Sequence, residues 1–192
     1  YIFDLNGNQL GIITASDGDA YDRFGQSVAV GSGRIVVGAY SNDIGSNNAQ
    51  GSAYIFDLDG NEVGIITASD GGLNDRFGQS VAVGSGRIVV GALFASYAGS
   101  AEGRAYIFDL DGNQLGIITA SDGAADDQFG GGRHDTQGVQ AVAVGCGRIV
   151  VGANQDDVGT NLAQGSAYIY ETPQIYTLYD AIELQSVGIT TL

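Results

Sequence analysis

The chain has 192 residues, among them 32 Gly, one Pro, one Cys, one His and neither Met nor Trp. All seven basic residues are Arg, and against 22 Asp and Glu they leave a formal net charge of -15. Such a surface repels phosphate, which argues against nucleic acid as a partner. One Cys cannot close an internal disulfide, and no apolar run approaches the roughly 20 residues of a membrane helix, so no membrane insertion is expected. The absence of Met and an opening Tyr1-Ile2-Phe3 that reads as mid-strand point to an excised or processed piece.

Residues 1–23 read as the last two strands of a sheet. The first complete unit follows in four strands. Residues 24–31, Phe-Gly-Gln-Ser-Val-Ala-Val-Gly, form its first, and a Ser32-Gly33 tip leads into Arg34–Ala39, because Gly accepts the positive φ that hairpins require. A polar loop then reaches Gly51–Leu58. Asp59-Gly60, read as a type I′ pair, turns the chain into Asn61–Ala68. No segment carries apolar residues at helical spacing, so the units are all-β.

This unit recurs. Tyr-Ile-Phe-Asp-Leu starts at Tyr1, Tyr54 and Tyr106, and Tyr-Ile-Tyr-Glu at Tyr168, at intervals of 53, 52 and 62 residues. Phe24 to Val28 and Phe77 to Val81 are four residues each, whereas Phe129 to Val142 is thirteen; nine inserted residues explain the long interval. A period this long marks a unit that buries its apolar faces only by stacking on copies of itself. Ile35-Val36-Val37 is apolar without alternation, as in strands covered on both faces. Four-stranded sheets packed face to face make a propeller. The predicted fold is therefore all-β, with propeller blades of four antiparallel strands, about 3.5 of them. The expected boundaries are 1–23 for the end of a first blade, 24–76 and 77–128 for complete blades, 129–171 for a partial blade with an insertion at 131–139, and 172–192 for a tail. Too few blades are present to close a ring, so further repeats or other copies of the chain are expected as partners.

Phe24-Gly25 with Val37-Gly38-Ala39, Phe77-Gly78 with Val90-Gly91-Ala92, and Phe129-Gly130 with Val151-Gly152-Ala153 resemble the FG-GAP repeat, which builds the propeller of integrin α chains and of many bacterial and viral surface proteins. The Pro of the signature is replaced by Tyr40, Leu93 and Asn154. The resemblance implies a propeller and a habit of extracellular binding, while fold alone does not fix function. In integrin-type repeats an Asp/Asn loop between the first two strands binds Ca²⁺. Here that loop is Gly31-Ser-Gly-Arg34, without a carboxylate, so the site is not carried over.

Two further acidic stretches are candidates for Ca²⁺. Asp57-Leu58-Asp59-Gly60-Asn61 and its copies resemble the start of an EF-hand loop, but lack its later Gly and Glu, and a hairpin turn accounts for them. Asp17, Asp19 and Asp22, with Asp70 and Asp75 and then Asp122, Asp126 and Asp127 in the copies, bring two or three carboxylates within six residues. That spacing suits a hard cation; it equally suits turn capping by Asp17 and pairing of Asp22 with an Arg. In an up-and-down blade the loops before Phe-Gly and after Gly-Ala emerge on one face. These are also the loops that differ between copies, and binding usually lives on loops of a rigid scaffold. Candidate contact residues there are Tyr40, Asn42, Asp43, Phe94, Tyr97, Asp156 and Asp157, with Arg133, His134 and Asp135 of the insertion; Tyr21, Tyr40 and Tyr97 would serve a sugar.

Arg34, Arg87 and Arg148 recur at one hairpin, and Arg23 and Arg76 precede Phe-Gly; all five read as scaffold, paired with Asp of adjacent blades. A catalytic reading would make His134 a base oriented by Asp135, but adjacent residues seldom face each other and one His builds no acid–base constellation. The expected protein is a non-enzymatic adhesion or protein-interaction module at an extracellular, cell or virion surface, with a protein or cell-surface glycan as partner. The alternatives are a structural subunit of a phage appendage or extracellular filament, and a lectin-like glycan-binding propeller.

Overall fold

A computed structural model describes residues 1–96, 101–131 and 140–171. The tail 172–192 and most of the insertion lie outside these residues. Thirteen strands and no helix occur among the described residues. Sheet I pairs β1 (Ile2–Phe3) with β2 (Gln9–Gly11). Sheet II is the antiparallel meander β3 (Ser27–Gly31), β4 (Arg34–Ala39), β5 (Ser52–Phe56) and β6 (Glu62–Ile66). Sheet III repeats it with β7 (Phe77–Gly84), β8 (Arg87–Ala92), β9 (Arg104–Phe108) and β10 (Gln114–Ile118). Sheet IV holds β11 (Val142–Gly145), β12 (Arg148–Ala153) and β13 (Ser166–Glu171). These are propeller-like sheets that do not close into a ring.

Two kinds of hairpin set the register. At the first, Ser32 and Gly33 both have positive φ (50° and 75°), the type I′ pair that matches strand twist. At the second, only Gly60 is positive (87°), and Gly60 N–H donates to the Asp57 carbonyl at 3.2 Å. That is a type I turn followed by a left-handed Gly, a three-residue-loop geometry, so the type I′ expectation for Asp59-Gly60 is corrected. The cause is Asp57, whose carboxylate accepts the N–H groups of Asp59 and Asn61 and the Asn61 side-chain amide. Asp4 and Asp109 repeat the arrangement. In all three the Asn amide comes first among the causes that hold the carboxyl below the ordinary Asp range.

Each sheet has a bulky face and a small face. The bulky face of sheet III, with Val81, Ile88, Val90, Tyr106 and Phe108, packs on Val36, Ala53, Ile55 and Ile66 of sheet II. Its small face, with Ala82, Val89 and Ala105, receives Val142, Ile149 and Val151 from sheet IV and Phe129 from the segment before it. Phe77 stands edge-on to Tyr106 and Phe108 at 5.4 and 5.9 Å, and each such pair adds about 1 kcal/mol to burial. The Phe-Gly and Gly-Ala motifs meet across the junction between sheets. Ser27 Oγ donates to the Gly78 carbonyl at 2.7 Å, and Ser80 Oγ to that of Gly130 at 2.7 Å. A Cβ on Gly38 would overlap the Gly78 carbonyl, and one on Gly91 the Gly130 carbonyl. Glycine is required there because backbone presses on backbone.

Candidate functional site

The connections on one rim pack on one another. Ser41 N–H donates to the Asp22 carbonyl at 3.2 Å, and Phe94 N–H to that of Asp75 at 3.3 Å. Between sheets, Arg76 N–H donates to the Ala49 carbonyl at 3.1 Å and Asp126 N–H to that of Ala101 at 3.0 Å. Along the other rim the hairpin tips touch: Gly86 N–H reaches Ser32 Oγ at 3.3 Å and Gly147 N–H reaches Ser85 Oγ at 3.5 Å. Cys146, in the Ser position of the last tip, is exposed.

The recurrent rim carboxylates take two jobs. Asp17 accepts the Tyr54 hydroxyl at 2.7 Å, Asp70 that of Tyr106 at 2.9 Å, and Asp122 that of Tyr168 at 2.7 Å. Asp22, Asp75 and Asp127 are buried and accept the N–H groups of Asp19, Gly72 and Ala124 at 2.6, 2.7 and 2.6 Å, closing the turn before Phe-Gly. The sequence expectation is corrected here: Asp22 closes the turn in place of pairing with an Arg, and Asp17 accepts a tyrosine hydroxyl from the core in place of capping the turn. Burial first, then the neighbouring carboxylate, pushes the Tyr54 hydroxyl up to about 12 and those of Tyr106 and Tyr168 further. Burial likewise raises Asp75 and Asp127.

One copy solves this site differently. Asn42 donates to Ser52 and Tyr54, and Asp156 lies 3.1 Å from the Tyr168 hydroxyl, but the second copy has Ala95 in this place. There Arg104 replaces Ser52 and Ser166, and its buried guanidinium pairs with Asp70. A shortened side chain on the loop accompanies a lengthened one on the strand.

Most of the acidic rim side chains are engaged within the protein. Asp17, Asp70 and Asp122 are turned to tyrosine hydroxyls and Asp22, Asp75 and Asp127 to backbone N–H groups, while Asp19 and Asp126 are exposed. Among the described residues, no three His, Cys, Asp or Glu side chains converge where they could hold a metal ion.

The contact-loop residues divide similarly. Asp43 accepts Ala49 N–H at 2.7 Å and Asp157 accepts Ala163 N–H at 2.6 Å, bracing their own loops. Tyr97, Arg133, His134 and Asp135 lie outside the described residues. The Arg76 guanidinium lies over both the Tyr40 and Phe94 rings, its carbon 5.7 and 5.0 Å from the ring centroids. Arg76, Arg23, Tyr21, Tyr40, Asp19 and Asp43 line a rim cleft of about 410 Å³. Among the expected Asp pairings, Arg34 meets Asp111 of the next sheet at 3.4 Å, while Arg148 meets Glu171 of its own sheet at 3.0 Å. Arg23 and Arg76 form no ion pair among the described residues, and that correction leaves both facing the cleft. Gln128 at the same position in the third copy was the available signal that the scaffold does not need a cation there.

Residues 8–56, 61–108 and 113–170 match the FG-GAP repeat. The chain belongs to the FG-GAP repeat family. No curated protein matches it in sequence. Among solved structures, that of the computationally designed Ika4 protein is similar at 13% identity over 86% of this chain and 99% of that one, with a TM-score of 0.35. FG-GAP repeats and sheets are out of step here: each repeat begins near the last strand of one sheet and ends with the third strand of the next. The paired glycines between sheets are the Phe-Gly and Gly-Ala glycines of the family, so the signature is a junction signature. FG-GAP repeats imply a protein-interaction propeller completed by repeats, and typically occur in extracellular proteins.

Proposed function

We propose that this chain is a non-enzymatic FG-GAP interaction module of an extracellular or virion surface, and that its two outer faces receive further cassettes of the same type. One observation carries this reading. Val81 is fully buried between sheets, whereas Val28, at the same place in an identical octapeptide, is 60% exposed. At the other end Ile169 is 70% exposed, whereas Ile55 at its position in sheet II is buried. The bulky face of sheet II, uncovered at Val28 and Val30, and the face of sheet IV that bears Ile169 correspond to the two halves of the internal junction. A groove of about 580 Å³ between sheets I and II, lined by Phe3, Ile13, Phe24, Val28 and Val30, continues that junction.

Contacts of this kind join unlike surfaces, so they close a ring or run on as a filament. The filament form is the structural-subunit reading. Sedimentation of the chain from 1 to 200 µM, with micrographs of the product, tests both. Concentration-dependent association is expected, and Val28→Glu or Ile169→Glu should abolish it. A folded monomer throughout that range would overturn cassette docking.

A further inference from the structure

We infer that the rim cleft between Tyr21, Tyr40, Arg23 and Arg76 binds an acidic sugar, a pyranose bearing one carboxylate. Six arginines are described. Four spend their guanidinium groups on protein acceptors: Arg34 on Leu110 and Asp111, Arg87 on the Gly86 carbonyl, Arg104 on Asp70, and Arg148 on Gly147 and Glu171. The guanidinium groups of the remaining two, Arg23 and Arg76, make no hydrogen bond or ion pair among the described residues, and both line one cleft. In a chain with 22 acidic residues, two cations without an acceptor in one place are cations kept for something else.

The geometry of Arg76 says what. Its guanidinium lies over the rings of Tyr40 and Phe94. Cation–π contact with the two rings holds the guanidinium in place without using its N–H groups, whose planar fork matches a carboxylate bidentately. This contact also removes the rotamer freedom that a free Arg loses on binding. Arg23 supplies a second cation in the same lining. Tyr21 is 82% exposed and offers an aromatic face of the kind that pyranose C–H groups cover. Asp19 and Asp43 add carboxylate oxygens, which accept hydroxyl hydrogens and repel further negative charge. A ligand with one carboxylate and several hydroxyls satisfies every part of this lining, whereas a run of acidic side chains meets repulsion at Asp19 and Asp43. The cleft volume lies within the roughly 300–1,000 Å³ of small-ligand sites.

The other copies lack the set. The second has Leu73 and Asn74 before Arg76, and the third has Gln128 in place of the Arg. One such site therefore occurs among the described residues.

The test uses the methyl glycosides of glucuronate and glucose, which differ at C6 as carboxylate and hydroxymethyl, with binding followed by calorimetry and by the arginine Nε–H signals. The glucuronoside should bind at least tenfold more tightly than the glucoside, and 0.5 M NaCl should erase most of the difference. Arg76→Gln should remove the preference with the fold intact by circular dichroism. Arg23→Gln, at an exposed and unstacked residue, should weaken binding several-fold and tests the proposal even if the Arg76 variant unfolds. Arg87→Gln, on the opposite rim, should change nothing. Equal affinity for the two glycosides, absence of binding, or tighter binding of a hexaglutamate peptide would each overturn the inference. Sedimentation of the same sample separates this from cassette docking, since sugar binding can fail while association persists.

Discussion

Residues 24–31 and 77–84 are the same eight amino acids in two different environments. In the second copy β7 spans all eight, and Phe77, Ser80 and Val81 are completely buried. In the first copy β3 begins only at Ser27, Phe24 is half-buried, and Val30 is 71% exposed. Sequence-local forces are identical, so the difference measures what a neighbouring sheet supplies. It supplies the extra strand length, through N–H groups such as that of Phe77, which donates to the Gln50 carbonyl at 2.8 Å. It also supplies the apolar cover.

The largest expected effect comes from asking the two kinds of face to accept a methyl group. Gly91→Ala drives a Cβ into the Gly130 carbonyl, with no flexible side chain to yield, and should cost about 3 kcal/mol in chemical unfolding. Gly152→Ala, at the same place in sheet IV, finds its nearest atom, the Ala141 carbonyl oxygen, at 3.7 Å. It should be neutral or stabilising by about 0.5 kcal/mol, since Ala restricts the unfolded chain. A cost at Gly152 equal to that at Gly91 would show that its face is already covered.

Val81→Ala should cost about 2 kcal/mol and Val28→Ala almost nothing in the dilute monomer, read from the same denaturation midpoints. At concentrations where the chain associates, Val28→Ala should begin to cost stability as well.

The smallest effect is at the rim. Tyr106→Phe leaves Asp70 without its hydroxyl donor and should cost about 1 kcal/mol at pH 7. The alkaline behaviour sharpens this. An unfolded Tyr loses its proton near pH 10, while burial and Asp17 keep that of Tyr54 to about 12. The stabilisation is therefore complete below about pH 10 and disappears as the pH rises toward 12. Tyr54→Phe should flatten that part of the stability–pH curve; an unchanged slope would remove Tyr54 as its source.

The strands are legible in the sequence because their signals are local: Ser-Gly and Asp-Gly tips, β-branched runs, and a repeat that places equivalent residues side by side. Two classes of feature are not. The turn at Asp57–Asn61 escapes a dipeptide rule because one carboxylate gathers the donors of its own loop. The roles of Asp17 and Asp22 depart from expectation because the decisive partner of Asp17 is Tyr54, 37 residues away. Arg23 and Arg76 resemble scaffold since they recur, and only comparison with Gln128 separates a recurrent residue from a required one. The exchange of Asn42 and Ser52 for Ala95 and Arg104 is visible in the sequence as two unrelated differences; proximity in the folded chain makes them one.

The offset between sequence repeat and sheet also bears on how such a chain carries tension. Each cassette lends its opening strand to the sheet of its predecessor, so the covalent thread crosses every junction inside a hydrogen-bonded ladder and not as a free tether. A pull along the chain must peel a strand from one sheet before neighbouring sheets can separate. An adhesive protein anchored this way would yield by stepwise shedding of single strands, holding most of its grip after the first has gone.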